Sequence, residues 1–400
     1  MKLFRVGIVT VLLPLQVACG LEDDGAPSDR ASEVIRLAPA TVIGRIEGDP
    51  DYLFGDVTAL AVDAQDRVVV GDRIGATVRA YDPDGGFLGE IAHEGEGPGE
   101  IQGWPAHLEF GPDGRLYVRD ALQVIVFAPR APGGLADSLV ATWRASGYGN
   151  LTGDRSRVTD DGAYFYPEGA IRPGEPRIFY YVMRGGEMTA DTLDVPPYAG
   201  LGATLTAFYA VGQGSGRMVD GLNRVPFAPE ASWHVTRRGT LLSTDGETPQ
   251  LLETNLDGDT VRVIPLAHAR RSPVSDAERA DSLAALEARI DSLPVPLDDV
   301  MNLGEGVAER RLPAALPLVL RVHLAEDESI WLERWPPAGG RTRLFDALDG
   351  DGRYLRSVEL QAAWAREPIP YFGERSAVGA IVDAETGVQR VVRFELPDGN

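Results

Sequence analysis

The chain has 400 residues, 44% hydrophobic and 24% charged, which is enough apolar material for a sizeable core and too much for a disordered chain. Against 38 basic residues stand 60 acidic ones, a formal charge of −22 that disfavours nucleic acid and anionic lipid as partners; Lys2 is the only lysine. The 46 glycines and 29 prolines are scattered rather than periodic, as suits many short strands joined by turns.

Residues 1–19 read as an export signal: Lys2 and Arg5, then an apolar run over 6–15, then Val17-Ala18-Cys19-Gly20. That run is too short for a permanent membrane-spanning helix. Cys19 is the only cysteine, so an internal disulfide is excluded. A small residue before a cysteine at this place resembles the bacterial lipobox, although Gln16 stands where that box usually has an aliphatic residue. The resemblance implies that Cys19 becomes the lipidated first residue of the mature protein. Gly20 is not the aspartate associated with inner-membrane retention, so an outer membrane lipoprotein facing the periplasm or the cell surface is implied. The alternative is an ordinary signal peptide cleaved nearby. Residues 20–38 are polar and acidic, a flexible tether leading to a folded domain over 39–400.

The first strands of that domain fall over 59–63 and 68–72, around the turn Ala64-Gln65-Asp66-Arg67. A third follows over 77–81, then the turn Asp82-Pro83-Asp84-Gly85-Gly86, then a fourth over 87–92. Alternating apolar positions and Asp/Gly turns predict a four-stranded antiparallel meander. The unit recurs over 107–143, where Arg115 and Asp120 lie 48 residues beyond Arg67 and Asp72. Gly162 lies another 48 beyond Gly114. Looser copies follow over 159–195, 233–266, 319–360 and 377–396, six in all. A period near 48 with four strands per unit predicts an all-β, six-bladed β-propeller of four-stranded antiparallel blades. The segment 41–46 has no blade of its own and is expected to pair with the last one, closing the ring. Insertions are expected at 196–225 and 267–316. The second carries the one helix, over about 275–293, with Ser275 as N-cap, Glu278 at the capping-box position and a stripe of Leu283, Leu286 and Ile290.

The apolar strand, Asp-Gly turn, strand ending in Asp, and Tyr-Asp-x-x-Gly hairpin resemble NHL-type six-bladed propellers. Gly95-Glu96-Gly97-Pro98-Gly99-Glu100 resembles the G-x-GPGE signature of exported bacterial propeller lipoproteins. The resemblance implies a fold, an exported location and a binding role on the loop face, with no enzymatic assignment. In such a ring the loop over 93–105 crosses from one blade to the next at the rim where ligands sit. The turns after the second strands reach the same face. The candidate ligand face is therefore Asp72, Arg73, His93, Glu94, Glu100, Trp104, Arg119 and Asp120. Each also has a plainer reading, as a turn cap or a blade-to-blade lock.

No G-x-S-x-G, phosphate-binding or dinucleotide loop occurs, so no catalytic or cofactor-binding residues are assigned and no cofactor is expected. None of the five histidines pairs at zinc spacing, so no metal is assigned either. His107, His234 and His323 nevertheless fall on inner strands of different blades, where they would converge. A metal-dependent lyase or lactone hydrolase at the channel mouth is thus the competing reading. A structural subunit of an envelope complex, docking through the helix, is a third. The partner on the loop face, protein or small molecule, is left open.

Overall fold

The computed structural model describes residues 34–145, 156–168, 177–194, 204–210, 217–224, 226–229, 231–291, 313–335, 342–365 and 367–397. Cys19, the export signal and most of the tether lie outside these residues.

Six antiparallel sheets stand around a central channel as a six-bladed β-propeller. Blade 1 runs from the channel outward as Val57–Val62, Val68–Asp72, Thr77–Tyr81 and Phe87–Ala92. Blade 2 is His107–Phe110, Leu116–Arg119, Gln123–Pro129 and Ala136–Arg144. Blade 3 follows as Arg157–Val158, Tyr164–Glu168, Arg177–Arg184 and Glu187–Asp194. Blade 4 comprises Ser232–Val235, Leu241–Thr244, Gln250–Thr254 and Thr260–Pro265. Blade 5 holds Arg321–Leu324, Ile330–Arg334, Arg343–Leu348 and Tyr354–Leu360. In blade 6, Tyr371–Phe372, Ser376–Val382 and Gln389–Glu395 are completed by Thr41–Ile43 from the other end of the chain. Val42 lies opposite Val392 in this antiparallel closure, which occupies the edge that blade 6 would otherwise expose.

The inner strand of blade 1 reads as a near-continuous apolar run because both of its faces are covered. In blade 1, Ala59 and Ala61 pack toward Leu108 and Phe110 of blade 2, while Leu60 and Val62 pack toward Val378 and Ala380 of blade 6. Period-two alternation therefore sends successive side chains into two different cores. Among the described residues each blade-to-blade contact has its own apolar cluster, and the closing residue Ile43 belongs to the one between blades 6 and 1.

Three short blade strands were not expected from the sequence: Arg157–Val158, innermost in blade 3, Leu241–Thr244, second in blade 4, and Tyr371–Phe372, innermost in blade 6. The last has two residues and follows Pro368 and Pro370, so its alternation is too short to register. The tether expectation is corrected at its end. Val34–Leu37 is a strand, pairing in parallel with Ser357–Leu360 on the outer edge of blade 5. Isolated acidic composition says nothing of an edge that offers backbone partners from across the chain.

Within the expected insertion at 196–225, Thr204–Ala210 and Arg217–Arg224 form a separate antiparallel hairpin. In the second insertion the helix spans Asp276–Asp291. Its capping box is formed: Glu278 N donates to Ser275 Oγ at 3.2 Å, and Ser275 N donates to Glu278 Oε2 at 2.8 Å. The side chains of Leu286 and Ile290, two of the three stripe positions, lie outside those described.

Candidate functional site at the channel mouth

Each inner strand starts at one face of the ring and ends at the other. On the starting face, reached by the crossover loops, the channel widens into a cup of about 350 Å³. This is at the small end for ligand pockets. The cup's wall includes Thr58 and Leu60 of blade 1, His107 and Glu109 of blade 2, Arg157 of blade 3, His234 of blade 4, His323 of blade 5 and Tyr371 of blade 6. Asp56, Arg73, Trp104 and Glu367 stand among the residues around it.

The glycine-proline loop places Trp104. Glu100 folds its carboxylate back over the loop, where Oε2 accepts from Gly97 N at 2.6 Å. A Cβ at Gly95 would lie 1.9 Å from that oxygen, and one at Gly97 would lie 2.9 Å away. Gly99 adopts φ +84°, which a side chain would strain. The glycines of Gly95-Glu96-Gly97-Pro98-Gly99-Glu100 thus make room for the glutamate of the same motif. Ile101 N donates to His93 O at 2.8 Å and Ile101 is buried, so the loop is pinned where it turns toward Trp104 and Pro105.

The eight expected ligand-face residues divide. Arg73 and Trp104 line the cup, Arg73 paired with Asp56. Asp72 and Asp120 are buried turn staples. Asp72 accepts from Gly55 N at 3.0 Å and Asp56 N at 2.8 Å, holding the chain entering blade 1. Asp120 repeats this by accepting from Gln102 N at 2.9 Å, along with Leu122 N at 2.7 Å and Gln123 N at 2.9 Å. Arg119 is 1% exposed, its guanidinium 4.1 Å from the ring centroid of Tyr166 in blade 3. His93 lies 3.7 Å from Glu100 and 3.3 Å from Glu90 on the outer part of the loop. None of His93, Glu94, Glu100, Arg119, Asp72 and Asp120 is among the residues lining the cup.

The three inner-strand histidines do meet at the cup, but each is engaged. His107 Nδ1 is 2.9 Å from Tyr164 Oη, His234 Nδ1 is 3.0 Å from Val235 O, and His323 Nε2 is 3.3 Å from Glu333 Oε2. Burial, with Arg119 nearby, holds the His107 imidazole down at about 3, so it is neutral at physiological pH. Burial also lowers His323. Among the described residues no three His, Cys, Asp or Glu side chains are placed to hold one metal ion.

Sequence reasoning missed the charged network at the cup's base. Glu109 is 3% exposed, and its Oε1 lies 3.2 Å from Arg157 Nη1. Arg157 Nη2 donates to Ala325 O and to Glu328 Oε1, both at 2.8 Å. Arg237 pairs with Glu326, whose other oxygen accepts from Tyr371 Oη. Arg237 and Glu326 also line a second cavity, of about 490 Å³, which opens among the turns between first and second strands on the opposite face. The network therefore stands between the two cavities. Burial pushes the Glu109 carboxyl up to about 7, against the pull of Arg157, with Glu326 and Glu328 adding to the rise and Arg237 opposing it. The signal was present in His107-Leu108-Glu109-Phe110, where two polar residues at i and i+2 interrupt a strand with both faces buried.

Fold and site together define a six-bladed β-propeller with a ligand-sized cup on its crossover-loop face. No family model and no curated protein matches the chain. Solved structures with a similar course include a Bacteroides fragilis protein assigned as exported, at 9% identity and TM-score 0.43, covering 92% of this chain and 100% of the other. A Bacteroides vulgatus protein has 8% identity and TM-score 0.47, with 89% and 98% covered. Virginiamycin B lyase from Staphylococcus aureus has 10% identity and TM-score 0.36, with 86% and 95% covered. The sheets themselves, rather than these likenesses, define the fold.

Proposed function

We propose that the protein is an exported, membrane-tethered propeller that works as a non-enzymatic binding module, taking a small ligand or a protruding group of a partner protein into the cup from the loop face. The observation that carries this reading is the cup, a concave site walled by all six blades, with Trp104 delivered to its rim by the glycine-proline loop. Concave sites with apolar walls and a few converging polar groups are what small-molecule recognition requires. The export pattern and Cys19 support an outer membrane lipid anchor as the only membrane contact, and the charge of −22 supports the exclusion of nucleic acid. The repeat period and the Gly95–Glu100 motif support kinship with NHL-like exported propellers.

A thermal-shift screen of small molecules against protein lacking residues 1–19 tests this reading. Ligands that raise the unfolding temperature of the wild type should lose their effect in Trp104→Ala. They should keep it in Arg115→Ala, which alters an exposed turn away from the cup. Hits indifferent to Trp104→Ala would place binding elsewhere and reject the cup. Anchoring is tested separately by Cys19→Ser, which should release the protein from the membrane fraction; continued membrane fractionation would reject the lipid anchor.

A further inference from the structure

We propose that the cup selects ligands carrying a compact organic cation, a protonated amine seated against the carboxylate of Glu109 and flanked by the rings of Trp104 and Tyr371. This rests on the cup being a binding site and names the chemistry it takes.

Glu109 and Arg157 line the cup, and behind them the buried network continues through Glu326, Glu328 and Arg237. Glu326 is taken by Arg237 and Tyr371, while Glu328 is taken by Arg157 and by Arg237 N. Glu109 has the charge contact with Arg157 Nη1 and, at its Oε1, no hydrogen bond among the described residues, although it is almost wholly buried and borders the cup. Arg157 Nη1 lies 3.2 Å from that oxygen as a charge contact without hydrogen-bond geometry, while Arg157 Nη2 is committed to Ala325 and Glu328 on the far side. Buried carboxylate oxygens are ordinarily satisfied, and leaving one without a donor is costly. A donor entering with a positive charge would satisfy the oxygen and balance the cluster at once.

The surroundings fit a cation better than an anion. Of the charged residues lining the cup, Asp56, Glu109 and Glu367 outnumber Arg73 and Arg157. His107 and His323 add no charge, since burial disfavours their imidazolium forms. Trp104 and Tyr371 offer aromatic faces, which attract ammonium groups. A cup with Trp104 and Tyr371 in its lining and, among the described residues, no cluster of metal-binding groups is suited to an organic cation rather than to a bare metal ion.

The test compares benzylammonium, benzyl alcohol and benzoate, three probes of similar shape and different charge, by calorimetric titration at 0.15 M salt. Benzylammonium should bind about tenfold or more tighter than benzyl alcohol, and benzoate most weakly. In Glu109→Gln the preference for the cation should vanish while benzyl alcohol is held as before. Equal binding of cation and alcohol, both abolished by Trp104→Ala, would overturn the charge selection and leave the cup standing. A preference that survives Glu109→Gln would assign it to the acidic surface and overturn the proposal, as would no binding of benzylammonium at all. Should Glu109→Gln fail to fold, the wild-type pH profile decides. Benzylammonium affinity should fall from pH 8 to pH 5.5 as Glu109 takes up its proton, with benzyl alcohol unchanged, and a flat profile for both would overturn the proposal. Arg157, Arg237, Glu326, Glu328 and Tyr371 face Glu109 from the blades around it, and His107 stands two residues before it on the same strand; burial keeps the His107 imidazole neutral and the Tyr371 phenol protonated, while Glu109 is held at about 7.

Discussion

Asp72 and Asp120 owe their 48-residue spacing to a shared structural duty. Each ends a second strand, caps its own turn and holds the backbone entering the first strand of its blade. Asp120→Ala would orphan several backbone donors at once. The expected cost is about 2–4 kcal/mol, measured as a lower urea midpoint with the slope unchanged. The glycines of the crossover loop make a coupled prediction. Gly95→Ala should cost about 1–3 kcal/mol in the wild type because its methyl would meet the Glu100 carboxylate, and little in a Glu100→Ala background. Strictly additive losses would reject the folded-back glutamate as the reason for Gly95. Both features were visible as sequence patterns. The difference between a residue that holds the rim and one that faces the ligand was not, because it depends on whether the side chain turns back to local backbone or toward the channel.

At the level of the strand, the closing segment has the most leverage. Ile43 is buried among Phe54, Val57 and Val391, while Thr41–Ile43 covers the outer edge of blade 6. Starting the protein at residue 39 should leave a cooperatively folding monomer. Starting it at residue 45 should expose that edge, lower the unfolding temperature and give higher-order species by size-exclusion chromatography. Equal behaviour of the two truncations would show that closure contributes nothing. The added strand Val34–Leu37 extends blade 5 before the chain passes to blade 6, so the chain start touches consecutive blades in ring order. The closing strand could be expected from an unpaired apolar segment before the first repeat. The parallel strand could not, since its partner Ser357–Leu360 lies more than three hundred residues away and nothing local specifies the pairing.

For the molecule as a whole, two buried carboxyls set opposite pH responses. Glu109 is raised from 4.5 to about 7, so the folded state holds its proton more tightly than the unfolded chain and stability falls as pH rises from about 4.5 through 7. Burial would also raise Glu333, but the hydrogen bond from His323 and the charges of Arg343 and Arg321 hold it at about 2. Its contribution is present above about 4.5 and is lost as pH falls toward 2. Urea midpoints should therefore peak near pH 5. From pH 5 to pH 8 the wild type should lose about 2–3 kcal/mol relative to Glu109→Gln, the difference isolating Glu109 from the general repulsion of an acidic chain. Parallel curves for the two proteins would mean that Glu109 ionises freely in the fold.

The sequence by itself determined the blades: alternation within each strand, Asp/Gly turns between them and a repeat near 48 residues are local features, and each acts over a few residues of chain. It also determined how the ring closes, because a leftover strand and an incomplete last blade have one economical partner. Tertiary structure decided the site. Glu109, Arg157, Arg237, Glu326 and Tyr371 come from five different blades, and their meeting depends on the stagger of each inner strand along the channel. That stagger is set by six separate blade-to-blade packings, so no local pattern could reveal which buried charges would find partners and which oxygen would be left without a hydrogen-bond donor.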